Sequence, residues 1–188
     1  DMNKPTRMAE AIEQFRLWVA TGGCTIKDRE GKLVKLRLNL HQRKILDAAY
    51  AQALAGRAIR VIVLKARKMG ASTIIQALLY HFIRFFPEWR SQALAQDLDT
   101  TRDIFSITKR IHQYDGGAPR KLKVGNRREI AFQNGSHFVT ATAGGKYPGS
   151  GSTFNAMELS EMAKWEGDVA STLASVMQAV PENPHSAI

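Results

Sequence analysis

The seven residues Ala58-Ile59-Arg60-Val61-Ile62-Val63-Leu64 constrain this chain more than any other segment. A nearly unbroken β-branched run of this length suits a strand buried on both faces of a parallel sheet. A basic, small-residue stretch, Lys65 to Thr73, follows it, and an apolar helix is expected from about Ser72 to Phe86, stopped at Pro87. The order is therefore strand, loop, helix. Further on, residues 91–96 read as a short strand and 97–114 as a helix. Glu129–Phe132 and His137–Ala141 read as a hairpin around Asn134-Gly135, a strong short turn signal. Upstream, Met8, Ile12, Phe15 and Val19 mark a helix over 6–20 with Thr6 as N-cap and Gly22-Gly23 as its stop. Residues 24–38 suggest a hairpin about Asp28-Arg29-Glu30-Gly31, and 41–55 a second helix. Alternating strands and helices predict an α/β fold with a mainly parallel sheet flanked by helices, Ile59 to Leu64 forming its central strand.

The 188 residues suit one domain with a sizeable core. The formal net charge of +10 suits a polyanionic partner, a merely soluble basic surface being the plainer alternative. Seven basic residues, Lys109, Arg110, Arg120, Lys121, Lys123, Arg127 and Arg128, fall between positions 109 and 128 against Asp115 alone. Only Tyr114 interleaves them, which fits phosphate tracking along duplex DNA better than base stacking on a single strand; a solvated loop is the alternative. The lone Cys24 excludes an internal disulfide and points to a reducing compartment. Apolar stretches are too short or too interrupted to span a bilayer, and no apolar signal core opens the chain. The ending Pro184-His185-Ser186-Ala187-Ile188 reads as a turn entering a strand, so a longer protein is expected.

A phosphate-binding loop needs backbone N–H groups turned inward at a helix start, a cation for the phosphates and a hydroxyl for Mg²⁺. Lys65-Ala66-Arg67-Lys68-Met69-Gly70-Ala71-Ser72-Thr73 supplies these parts. It departs from G-x-x-x-x-G-K-[ST] at two positions, with Lys65 at the first Gly and Ala71 at the Lys. A lysine from the start of the loop, Lys65 or Lys68, can reach the phosphates instead. Arg67 adds a planar cation suited to a γ-phosphate, in its own or a neighbouring subunit. The plainer reading is a basic strand-to-helix turn.

This segment resembles the deviant Walker A of the large terminase subunits of tailed bacteriophages, in which the lysine moves to the start of the loop and an arginine stands three residues before the Gly. Leu38 to Leu46 is similar to that family's adenine-binding motif, with Gln42 as the residue whose amide would both donate to and accept from the base. Phe154 to Trp165 is similar to its Walker B, with Glu161 at the position of the base that orients water and Ser160 where an Asp is usual. On periodicity alone, the residues from Met157 on also suit a helix running to Val180. Gly144 to Thr153 resembles the family's small-residue segment before Walker B.

The resemblance implies a P-loop NTPase of the ASCE type, with 1–37 as an N-terminal helix and hairpin and 38–188 as the core. It implies an ATPase using ATP and Mg²⁺, in which Lys65, Arg67 and Glu161 are catalytic and residues 65–73 with Gln42 hold nucleotide. Ser72 and Ser160 would hold the metal. Implied partners are double-stranded DNA, a small terminase subunit and a portal protein, in a homo-oligomeric ring in the host cytoplasm that fills a procapsid without a membrane. A nuclease domain and the family's coupling motif would lie beyond Ile188. Two alternatives stand: a helicase or translocase outside packaging, and a basic DNA-binding module with no catalysis. No G-x-S-x-G elbow occurs, and the five histidines lack metal-ligand spacing.

Overall fold

The computed structural model describes residues 6–66, 68–117, 120–143 and 153–188. Helix α1 (Arg7–Ala20) is capped by the Thr6 hydroxyl, which accepts from the Ala9 N–H. The hairpin β1 (Thr25–Lys27) and β2 (Leu33–Lys35) follows, and then α2 (Leu40–Leu54), which begins with a reciprocal capping box between Asn39 and Gln42. Next come α3 (Ala71–Phe85), β3 (Arg90–Ala95) and α4 (Leu98–Gln113), capped by Asp97, whose carboxylate accepts from the Thr100 N–H. The remainder comprises β4 (Leu122–Gly125), β5 (Glu129–Phe132), β6 (His137–Thr142), β7 (Ala156–Leu159), a short 3-10 turn Met162–Lys164 and α5 (Val169–Ala179).

Five strands form one sheet in the order β4-β5-β6-β3-β7. β3 pairs parallel with β6 and with β7, while β4–β5 and β5–β6 are antiparallel. The sheet is therefore mixed rather than mainly parallel. The hairpin at Asn134-Gly135 reverses the chain, with Gly135 at φ 84°, and it accounts for one antiparallel pair. The other comes from β4, an edge strand lying inside the basic stretch that the sequence suggests is a loop.

The Ile59–Leu64 segment is not a regular central strand. Its rungs run from the Ile59 N–H to the Ser186 carbonyl, from the Ile188 N–H to the Ile59 carbonyl, and from the Val61 N–H to the Ile188 carbonyl. Ile62 and Leu64 are 99% and 100% exposed. A β-branched run becomes a strand only where another backbone completes its ladder, and among the described residues the rungs reach no further than Val61. Ala187 bridges Ile59 on one side and Ala156 of β7 on the other, both in parallel. Residues 186–188 thus lie between β7 and the 59–61 segment.

Strand alternation sends successive side chains to opposite faces. Ala93, Ala95 and Ala156 join the larger core with α1 to α4, whereas Leu94 and Met157 join Trp165, Val176 and Val180 on the α5 side. Within the larger core, buried Asp115 accepts from the Tyr80 hydroxyl at 2.8 Å, the Trp18 indole N–H at 3.0 Å and the Gly117 N–H at 2.8 Å. Cys24 is also buried there, and burial, with Asp115 nearby, pushes its thiol up to about 12. That shift makes it unreactive.

Candidate functional site

Residues 65–66 carry no regular structure and bring the chain to a turn at 68–70 that opens α3. Lys68 and Gly70 both lie in the left-handed region, at φ 62° and φ 77°. Glycine adopts that region freely, whereas at Lys68 it costs about 1–3 kcal/mol and must be held by the surroundings. The holding groups come from the N-terminal quarter of the chain. The Arg29 guanidinium donates to the Lys68 carbonyl at 2.8 Å, the Asn39 amide to the Met69 carbonyl at 3.3 Å, and the Gln42 amide to the Gly70 carbonyl at 3.0 Å.

Three consecutive carbonyls are therefore satisfied from outside. The first N–H groups of α3 have no acceptor within the helix and carry its positive dipole end. Such a turn, with its carbonyls tied off at the positive end of a helix, suits an anion. Lys65 and Lys68 are exposed beside it, and Ser72 is half-buried in the first helical turn. Arg67 lies outside the described residues, as does the 144–152 part of the small-residue segment.

Gln42 is brought directly to this turn, 28 positions away in sequence. It is 4% exposed, and both ends of its amide are engaged, Oε1 accepting from the Asn39 N–H and Nε2 donating to Gly70. Direct recognition of an adenine edge would require one of these bonds to be exchanged.

On the other side, α3 packs on β7. Gln76, one helical turn beyond Ser72, donates to the Glu158 carboxylate, and its own carbonyl accepts from Thr108 of α4 at 2.6 Å. Ser160 follows β7 directly, two positions beyond Glu158 and in the turn that ends the strand. Burial pushes the Glu158 carboxyl up to about 7, against the opposing effects of the Gln76 bond and of the positive charge on Lys65. That effect of Lys65 records the nearness of the loop start to β7. Residues 156–159 are a strand and not the start of a long helix, so the alternative helix to Val180 does not form as one element; α5 starts at Val169.

Ser160 is buried, its N–H bonding the Leu94 carbonyl and its own carbonyl accepting from the Trp165 indole. Glu161 is exposed just past the strand, at φ 51°, and ion-paired with Lys164. Arg29, Asn39, Gln76 and Glu158 are the site neighbours that the sequence did not single out. For Glu158, a carboxylate inside an otherwise apolar strand was the available signal.

As for a metal, no group of three His, Cys, Asp or Glu capable of holding one occurs among the described residues. Of the residues expected to hold Mg²⁺, Ser72 lies in the first turn of α3 and Ser160 just past β7, and hydroxyls are hard oxygens of the kind this ion takes.

The basic residues 109–128 are not at this turn. Lys109 and Arg110 end α4, Arg120 donates to the Arg84 carbonyl at 2.6 Å, and Lys121, Lys123, Arg127 and Arg128 lie along β4 and its turn into β5. β4 is the sheet edge farthest from β7, four strand spacings or about 19 Å away.

The class defined by these features is an α/β protein with a mixed five-stranded sheet, flanking helices and an anion-suited turn at the head of α3. Among solved structures, the crystal structure of the HK97 bacteriophage large terminase shares the fold, with a TM-score of 0.68 at 15% sequence identity over 95% of this chain. The fold is thus terminase-like. The present chain spans 36% of that protein's length. No family model matches the sequence, and no curated protein matches it.

Proposed function

We propose that this chain is an ATP-hydrolysing motor domain of the large-terminase kind, which in its assembled ring moves double-stranded DNA into a procapsid. The observation that carries this reading is the turn at 68–70, whose three carbonyls are tied off by Arg29, Asn39 and Gln42 at the head of α3, within a terminase-like fold. That turn coincides with the segment resembling a deviant Walker A. The strand resembling Walker B packs against the same helix through Gln76 and Glu158.

In this reading the backbone N–H groups at 70–73 cradle the phosphates, and Lys65 or Lys68 neutralises their charge. Arg67 senses or stabilises the γ-phosphate. Ser72 holds Mg²⁺ together with Ser160, whose hydroxyl replaces the usual carboxylate. Mg²⁺, when bound, offsets charge on the phosphate oxygens. Glu161 orients the attacking water from the end of β7. DNA contacts belong to Lys109, Arg110, Arg120, Lys121, Lys123, Arg127 and Arg128. A small terminase subunit and a portal protein would be the assembly's other partners, in the host cytoplasm.

The test is thermal stabilisation of the intact protein by ATP with Mg²⁺. The reading expects a shift that grows with nucleotide concentration and is lost in Lys65→Ala. No shift at any concentration would favour a basic DNA-binding module without catalysis.

A further inference from the structure

We infer that Arg29, at the tip of the β1–β2 hairpin, is a positioning residue for the phosphate chain, holding the Lys68 carbonyl out of the anion-binding turn. The inference rests on the reading of residues 65–73 as a phosphate-binding loop and assigns a part of that site to the N-terminal hairpin.

A carbonyl dipole aimed into an anion site repels the ligand, so such a loop works only while its carbonyls face away. Asn39 and Gln42 hold the second and third carbonyls, and they are fixed by their mutual capping box at the head of α2. The first carbonyl, on Lys68, belongs to the residue with the least favourable backbone, a side-chain-bearing residue at φ 62°. Its donor is Arg29. The hairpin tip that carries Arg29 is itself built for this position. The Asp28 carboxylate accepts from the Glu30 and Lys32 N–H groups at 2.9 and 2.8 Å, and Gly31 turns the chain at φ 85°.

The nearby acids are already engaged, Asp28 in that turn and Glu30 with Lys32 at 2.8 Å. The Arg29 guanidinium therefore keeps its charge directed to the loop. Unlike the two amides, it also adds positive potential where phosphates would sit. Its side chain is exposed, so truncation opens no cavity in the core.

The experiment compares Arg29→Ala and Arg29→Lys with the wild type in the intact protein. Apo melting temperature, dissociation constants for ATP and for inorganic tripolyphosphate in Mg²⁺, and the split of hydrolysis into kcat and KM are measured. Arg29→Ala is expected to weaken both ligands by the same factor, about three- to tenfold, raising KM more than it lowers kcat and lowering the apo melting temperature by no more than about 2–4 °C. Arg29→Lys should recover part of the loss, since an ammonium can also donate to the carbonyl. Unchanged dissociation constants in Arg29→Ala, with binding still lost in Lys65→Ala, would overturn the inference and leave the loop reading standing. Weakening confined to ATP would also overturn it, because tripolyphosphate tests the phosphate chain alone. Failure of the wild type to bind either ligand would overturn the loop reading, and this inference with it.

Discussion

Glu158→Gln should make the protein more stable than the wild type at neutral pH, by an amount that vanishes in acid. The Glu158 carboxyl is buried between β7 and α3, with Gln76 as donor, and burial raises it from 4.5 to about 7. A carboxyl raised on folding contributes stability that is fully present below its unfolded value and is lost as pH rises through its folded one. At about 1.4 kcal/mol per unit, the loss between about pH 4.5 and about pH 7 is bounded near 3 kcal/mol. His81 acts in the opposite sense. Burial first, and then Arg84, lower it from 6.5 to about 3, so its contribution is complete above about pH 6.5 and is lost in acid. Between pH 4.5 and 6.5 the two cancel in the wild type, and a single pH profile would hide both. The quantity to measure is the difference in urea unfolding free energy, Glu158→Gln minus wild type, at matched pH. It should grow by about 3 kcal/mol from about pH 4.5 to about pH 8. A difference independent of pH would show that Glu158 is not buried as described.

Gly70→Ala places a Cβ 2.7 Å from the Gln42 amide nitrogen, at φ 77°, and should cost about 1–3 kcal/mol of stability. Gln42 must also release its bond to the Gly70 carbonyl, so ATP-induced stabilisation should fall together with the unfolding free energy; an unperturbed variant would contradict the clamp at this turn. Tyr80→Phe removes one donor from buried Asp115, leaving the Trp18 and Gly117 bonds. It should cost about 1–3 kcal/mol in urea unfolding without changing nucleotide binding.

Local signals were legible wherever a segment carries its own punctuation. Thr6 caps α1, Gly135 turns the β5–β6 hairpin, and Pro87 follows the end of α3. What failed depended on partners distant in sequence. The Ile59–Leu64 run has the composition of a central strand, yet among the described residues its ladder bonds go to 186–188, and nothing in residues 58–64 states that. β4 failed in reverse. Lys121 and Lys123 make it look like a solvated loop, while pairing with β5 makes it an edge strand, where charge is at home. At the candidate site, the loop segment was legible from its residue types. The donors Arg29 and Asn39, 39 and 30 positions from their acceptors, were not, because a side chain that reaches across the fold leaves no periodicity in the sequence.

Under the proposed function, Glu161 at the end of β7 acts on ATP held at the head of α3. The direct measurement is the single-turnover rate of ATP hydrolysis in the intact protein, with nucleotide affinity measured alongside, for wild type and Glu161→Gln. Hydrolysis in Glu161→Gln is expected to slow by about 10²–10⁴-fold with affinity nearly unchanged. Hydrolysis by Glu161→Gln at the wild-type rate would contradict this role.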